Sequence, residues 1–483
     1  MKKYWWFWGI CILIILIYHQ TFGLYFFQDD FFSLNTSRVE SFGEWIRLWL
    51  PNQNVVYYRP LGIPLFFWLG QKVFGTNFLG YRLAAFLAFL ATVFLVYKLA
   101  FILTGKDKVA KLTAFFYGVA PLHFLSLAWI VNFSYILGAF FYFLTIFLYI
   151  KSLKEPGLFK IAVLTFGLGI LTNEIVLTVP IMVLAIDCYF RKKLNLRNFL
   201  IFLSISFPYF ILRLLVTPTG GGVYELGLSI KSGVATLRWY IFWAFGLPES
   251  TSGQFASLLK INPIFVLSSF WTWFKAMCSL AFYIFFLMAC LPLLMLFFQK
   301  RLRKIWGFGV FCGFWFLVNI LPFLLLPQHA YPHYGAVASF GVYLFLSFLI
   351  FKGFEKAKDF VFLRRFVLGV AVCSWIGLAF LVMRFNLLSH WAPRQAVLAK
   401  RILKEIEKFY PKESAGAEVE IYVVENNNEK KLALSEKNAI QFFYQNKGIG
   451  VFYITSDMAV QQFGGNYAHC VEEWKQKGIY LVL

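Results

Sequence analysis

The feature that most limits what this chain can fold into is a series of apolar runs, each about as long as a bilayer is thick. A helix rises about 1.5 Å per residue, so a hydrocarbon core of about 30 Å takes about 20 residues to cross. Such runs fall near 4–22, 79–100, 110–127, 131–150, 161–173, 175–190, 198–216, 268–298, 306–326, 335–351 and 366–384, which gives 11 predicted spans. The runs at 161–173 and 175–190 are short and meet at Asn173-Glu174, where a steep hairpin is expected. With 60% hydrophobic and only 14% charged residues, the chain lies outside the range of soluble domains. The expected fold class is mainly α, a polytopic membrane protein, with a small C-terminal α/β module outside the membrane.

Charge divides the chain. Residues 1–390 carry 33 Lys/Arg against 12 Asp/Glu, whereas 391–483 carry 12 against 11. The excess therefore belongs to the membrane part, where it reflects cytoplasmic loops rather than nucleic-acid binding. Lys2-Lys3, Lys98, Lys106, Lys151, Arg191, Lys300, Lys352 and their neighbours fall on one side, which is taken as cytoplasmic together with the N-terminus. An odd span count then places 391–483 outside a plasma membrane. The start, Met1 followed by Lys2-Lys3 and an apolar run, has no small-residue cleavage site after it, so a retained first helix is expected. Six of the seven cysteines lie in apolar spans, and no Cys/His spacing suits a zinc site. No cofactor is required by this pattern, and no ligand motif supports a divalent metal.

The first outer loop, 23–78, is long. Residues 40–50 have mixed faces and 63–74 are apolar but too short to span, so both are expected as interfacial helices. The 217–262 loop opens on Thr-Pro-Thr-Gly-Gly-Gly and holds an interrupted apolar stretch, 237–247, which is expected to lie in the interface or re-enter. In the tail, helices are expected over 394–410 and 434–446 (the latter capped by Ser435) and strands over 419–424, 451–455 and 479–483.

Several outer-face residues stand where plain burial or solvation does not explain them well. Asp29-Asp30 follow the first span directly and are enclosed by Tyr25, Phe26, Phe27 and Phe31. Acids in such surroundings hold protons to higher pH, which suits a general base, although a solvated turn is the plain alternative. Glu174 sits between two apolar runs on the same face. Arg59 and Arg213 are outer-half cations with few acids nearby, and a phosphate matches a guanidinium; Arg238 is equally explained by snorkelling. His329, Tyr331, His333 and Tyr334 crowd one short loop, which suits phosphate or sugar more than metal.

On these residues the chain resembles the GT-C superfamily of membrane glycosyltransferases, most nearly the protein O-mannosyltransferase-like family 39 and its aminoarabinose-transferase relatives. Asp29-Asp30 match the acidic first-loop motif, and Tyr58-Arg59-Pro60-Leu61 match a Tyr-Arg-Pro-Leu signature. Asn173-Glu174 stand at a Lys-Glu-like pair, while 329–335 depart in spacing from the family's last motif. The likeness covers residues 1–385. It implies a sugar donor on polyprenyl phosphate, a protein or glycolipid acceptor, an external site and inversion at the anomeric carbon. Asp29 (the favoured base), Asp30 and Glu174 would be catalytic, and Arg59, Arg213, His329 and Tyr334 would hold the donor phosphate. A transporter or flippase, or a ligase or polymerase of lipid-linked oligosaccharides, would draw on similar ions.

Overall fold

The computed structural model describes residues 4–51, 55–216, 225–227, 229–255, 261–298, 302–354, 361–410, 419–456, 458 and 479–482. Lys2-Lys3, the 217–222 run, Lys300-Arg301, Lys356, Lys358, His469 and Cys470 lie outside the described residues.

Eight described helices are long and apolar enough to cross a bilayer, the first being Trp5–Gly23 and the last Arg365–Ser389. A ninth arises if Asp107–Val119 and Pro121–Ala128, bent by 46°, form one broken span. The two short runs fold into helices of 13 residues each, Leu158–Ile170 and Val179–Arg191, on either side of Glu174. At about 1.5 Å per residue each reaches about 20 Å, so length alone does not make them spans. The expected interfacial pieces form as the helices Phe42–Arg47 and Pro64–Phe74, and 237–247 falls largely in Ile230–Ala244, a helix of 15 residues that is too short to span.

The broken span shows how the outer end of the bundle is built. Pro121 cannot donate a backbone hydrogen bond and clashes with the preceding turn, which ends the helix. Carbonyls released at such a break need partners in a dry environment. The Tyr18 hydroxyl donates to the Ala120 carbonyl at 2.6 Å. Arg82, buried in the helix Phe78–Thr104, donates to the carbonyls of Leu24 at 2.8 Å, Ala128 at 3.0 Å, Leu127 at 3.1 Å and Tyr25 at 3.3 Å. One guanidinium therefore ties the first outer loop to the second.

The tail begins with the helix Trp391–Phe409 and continues into three parallel strands, β1 (Glu420–Val424), β2 (Gly450–Ile454) and β3 (Ile479–Val482), ordered β2-β1-β3. This is the small α/β module that the sequence predicts. Ser435, however, does not cap a helix over 434–446. Ser435 and Glu436 both take positive φ, 50° and 56°, so one short helix, Glu429–Ala433, ends before them and only Asn438–Phe443 is helical within 434–446. The Ser435 carbonyl accepts from the Asn438 backbone amide instead. The module is held to the first outer loop: Gln28 N–H donates to the Ala433 carbonyl at 2.9 Å, and Phe442 meets the rings of Phe26 and Phe31.

Candidate active site

Three outer segments converge because small residues let their backbones touch. The Leu61 amide donates to the Leu171 carbonyl at 3.0 Å. A Cβ on Gly62 would collide with the Thr172 carbonyl oxygen and with Ser134, and one on Gly138 would come within 2.6 Å of Asn173 Cβ. Asn173 is buried, and its side-chain oxygen accepts the Ile175 amide at 3.1 Å, turning the chain so that Glu174 faces the first loop.

Glu174 is the centre of the charged cluster. Its carboxylate accepts from Arg59 Nε at 2.7 Å and lies 3.5 Å from Arg213 Nε. Arg59 also donates to the Tyr135 hydroxyl at 3.0 Å and to Ser134 at 3.4 Å, and its guanidinium lies 4.7 Å from the centre of the Tyr135 ring. Burial works to raise the Glu174 carboxyl, but Arg59 and Arg213 outweigh it and hold it below the usual carboxylate range. Glu174 is thus ionised and engaged. The reason for expecting phosphate at Arg59 and Arg213, a shortage of nearby acids, does not hold: both pair with Glu174. Two guanidinium groups against one carboxylate still leave a net positive charge.

An aromatic wall continues from this cluster. Tyr135 packs against His333 and Tyr334 at ring-centre distances of 4.6 and 5.2 Å, and His329 lies 5.0 Å from Tyr331. Burial, with Arg59 adding to it, lowers His329 to about 4, so its imidazole is neutral near pH 7 and offers hydrogen bonds rather than charge. Tyr331, pushed up to about 12 chiefly by burial, also feels Glu249 and Asp29. Glu249 lies 3.3 Å from His390 Nε2, and His390 Nδ1 accepts the Ala392 amide at 3.1 Å.

The two adjacent aspartates have different surroundings. Asp30 is fully buried; it accepts the Val131 amide at 2.7 Å and the Phe27 amide at 3.3 Å. Burial pushes it up to about 7, against the pull of Arg82 and those two amides. Arg82 binds carbonyls at the break and Asp30 binds an amide there, so together they fix the fold of the site. Asp29 instead opens onto a cavity of about 1060 Å³. Its side chain is exposed to that space yet walled by protein, and the loss of bulk water raises its carboxyl to about 6. Water in the open cavity works against that rise. Gln28, just before it, has φ 49° and ψ −123°, a conformation that side chains avoid and that sets the direction of Asp29 at the helix start.

Arg82, Tyr135 and Ser134 were not singled out in the sequence. A lone arginine in an apolar run was the available signal for Arg82; nothing distinguishes Tyr135 among 25 tyrosines. Among the described residues no group of three His, Cys, Asp or Glu could hold a metal ion.

Fold and site together define a polytopic helical membrane protein with an ion cluster, an aromatic wall and a polar cavity at one end of its helices. Residues 58–215, about a third of the chain, match the family model described as dolichyl-phosphate-mannose-protein mannosyltransferase. That segment holds Arg59, Tyr135, Glu174 and Arg213. No curated protein matches the chain. Among solved structures, ArnT from Cupriavidus metallidurans bound to undecaprenyl phosphate is 13% identical, with a TM-score of 0.48 over 98% of this chain and 88% of that one. The apo state of the same protein is 12% identical at 0.48, over 99% and 90%. The Archaeoglobus fulgidus oligosaccharyltransferase tethered to an acceptor peptide is 12% identical at 0.45, over 99% and 68%. Scores of this size assign no residue a role.

Proposed function

We propose that this chain transfers a sugar from a polyprenyl-phosphate-linked donor to an acceptor hydroxyl at the outer face of the membrane. The observation that carries the reading is the meeting of Arg59 and Arg213 on Glu174 within the matched segment. A leaving phosphate gains negative charge as the glycosidic bond breaks, and preorganised guanidinium groups stabilise that charge. Glu174 holds both arginines in place and keeps them from collapsing onto other partners. The aromatic wall of Tyr135, Tyr331, His333 and Tyr334 offers flat faces to the donor sugar, with neutral His329 as a hydrogen-bond partner.

Asp29 is the base. The acceptor oxygen bonds to the anomeric carbon, and the bond from that carbon to the phosphate oxygen breaks with its electron pair. The acceptor proton passes to Asp29. One displacement from the opposite side inverts the anomeric centre. Asp30 acts through Asp29 by fixing the turn that presents it. The donor enters from the bilayer and the 391–483 module is extracytoplasmic, on the same face as the ion cluster, which follows the positive loops toward the cytoplasm.

The test is transfer of a radiolabelled sugar from mannosyl-phospho-undecaprenol and related donors by purified protein. Asp29→Asn should lower turnover by about 10²–10⁴-fold, the usual share of a general base, while donor binding stays near wild type. Turnover close to wild type in that variant would remove Asp29 as the base.

A further inference from the structure

The cavity above Asp29 has two walls from opposite ends of the chain. One is the first-loop helix Asp29–Thr36, with Asn35 and Thr36; the other is the C-terminal module, with Asn428, Asn438 and Gln441. The walls are cross-linked. Asn35 Nδ2 donates to Asn438 Oδ1 at 3.0 Å and to Gln441 Oε1 at 3.1 Å, while Gln441 Nε2 donates to the carbonyls of Lys447 and Ile449. Among the described residues, four of the six non-glycine residues with positive φ, namely Gln28, Asn428, Ser435 and Glu436, line this cavity. Strain of that kind gathers where function sets the backbone. The lining is rich in amides, which suits a ligand rich in hydroxyls. Its charged groups are Lys431, Lys437 and Lys447 against Asp29 and Glu436, a net excess of one positive charge. Lys431 lies 3.5 Å from Glu436, whereas Lys437 and Lys447 are exposed beside the space. At about 1060 Å³ the cavity lies at the top of the usual range for small-ligand sites and holds several sugar rings.

We propose that this cavity is the acceptor site, that the C-terminal module supplies half of it, and that its ligand is a hydrophilic glycan bearing negative charge. The proposal rests on the glycosyltransferase reading for the word acceptor, but the binding site itself stands on its own geometry. Lys437 and Lys447 meet the anionic groups, the exposed amide of Asn428 meets hydroxyls, and the acceptor hydroxyl reaches Asp29 in the cavity.

The experiment uses the full chain in detergent and two fluorescent probes, a heparin-derived tetrasaccharide and neutral maltotetraose. The anionic probe should bind more tightly than the neutral one, with an affinity that falls as salt rises. The double variant Lys437→Glu, Lys447→Glu should weaken the anionic probe by about tenfold or more, the scale of a few exposed ion pairs, and leave maltotetraose unchanged. Equal binding of the two probes, or unchanged binding of the anionic probe in the double variant, overturns the proposal. Undecaprenyl phosphate binding on the same samples reads the donor side. Its presence in the double variant shows that the protein is folded, and its absence in wild type would defeat the glycosyltransferase reading while leaving the glycan result to decide the cavity.

Discussion

Asp30→Ala and Asp29→Ala should separate the two adjacent acids by their effect on local opening. Asp30 accepts a short bond from the Val131 amide, 2.7 Å, and a longer one from the Phe27 amide, 3.3 Å. A buried amide left without an acceptor costs about 1–3 kcal/mol, so losing both bonds with no water to replace them costs about 3 kcal/mol. Arg82 would keep its carbonyls but lose the anion that offsets its burial. Three kcal/mol corresponds to about a hundredfold in an opening equilibrium. Hydrogen–deuterium exchange of the peptides covering 24–36 and 121–133 should accelerate by about that factor in Asp30→Ala. In Asp29→Ala the exposed side chain gives up only its favourable place at a helix start, worth about 0.3–1 kcal/mol, so exchange there should rise by no more than about fivefold. Equal acceleration in the two variants would refute the division of roles.

Two further outcomes follow from the geometry. Asp29 must be ionised to act as a base, so transfer should be lost as pH falls through about 6 and recover above it, with Asp29→Asn lacking this limb in a pH–rate profile. Asp30 holds its proton more tightly folded than unfolded; the stability this lends is present below about 4 and lost as pH rises through about 7, a slope that thermal unfolding of Asp30→Asn should lack. Gly62→Ala should force the first loop off Thr172 and Ser134, cost about 1–3 kcal/mol or more in thermal unfolding, and abolish transfer by parting Arg59 from Glu174.

How much of this was legible in the sequence depends on whether the cause was local. Apolar length gave the helices, because a bilayer imposes it on each segment separately. Arg59 and Glu174 also stand out in the sequence, since charges beside apolar runs do. Their pairing was not, because they lie 115 residues apart and Gly62, Ser134 and Gly138, which let them meet, look like ordinary small residues. Asp29 and Asp30 read as one motif, yet successive helical residues point to different faces, and one faces a cavity while the other binds an amide 101 residues away. Ser435 fits a helix cap by residue type, but Ser435 and Glu436 both take positive φ, which a cap assignment from residue type does not anticipate. The cavity had no signal at all: Asn428, Asn438 and Lys447 are residues that any soluble surface carries.

The central claim is that Arg59 and Arg213, held by Glu174, take the phosphate of a polyprenyl carrier. Titration of purified protein with undecaprenyl phosphate and with undecaprenol, which shares the tail and lacks the phosphate, tests it directly. Wild type should favour the phosphate by about 10²-fold, the yield of two charge-assisted interactions. Arg59→Ala and Arg213→Ala should each erase most of that preference while undecaprenol binding is unchanged. Equal affinity for the two lipids in wild type, or a preference untouched in both variants, would contradict it.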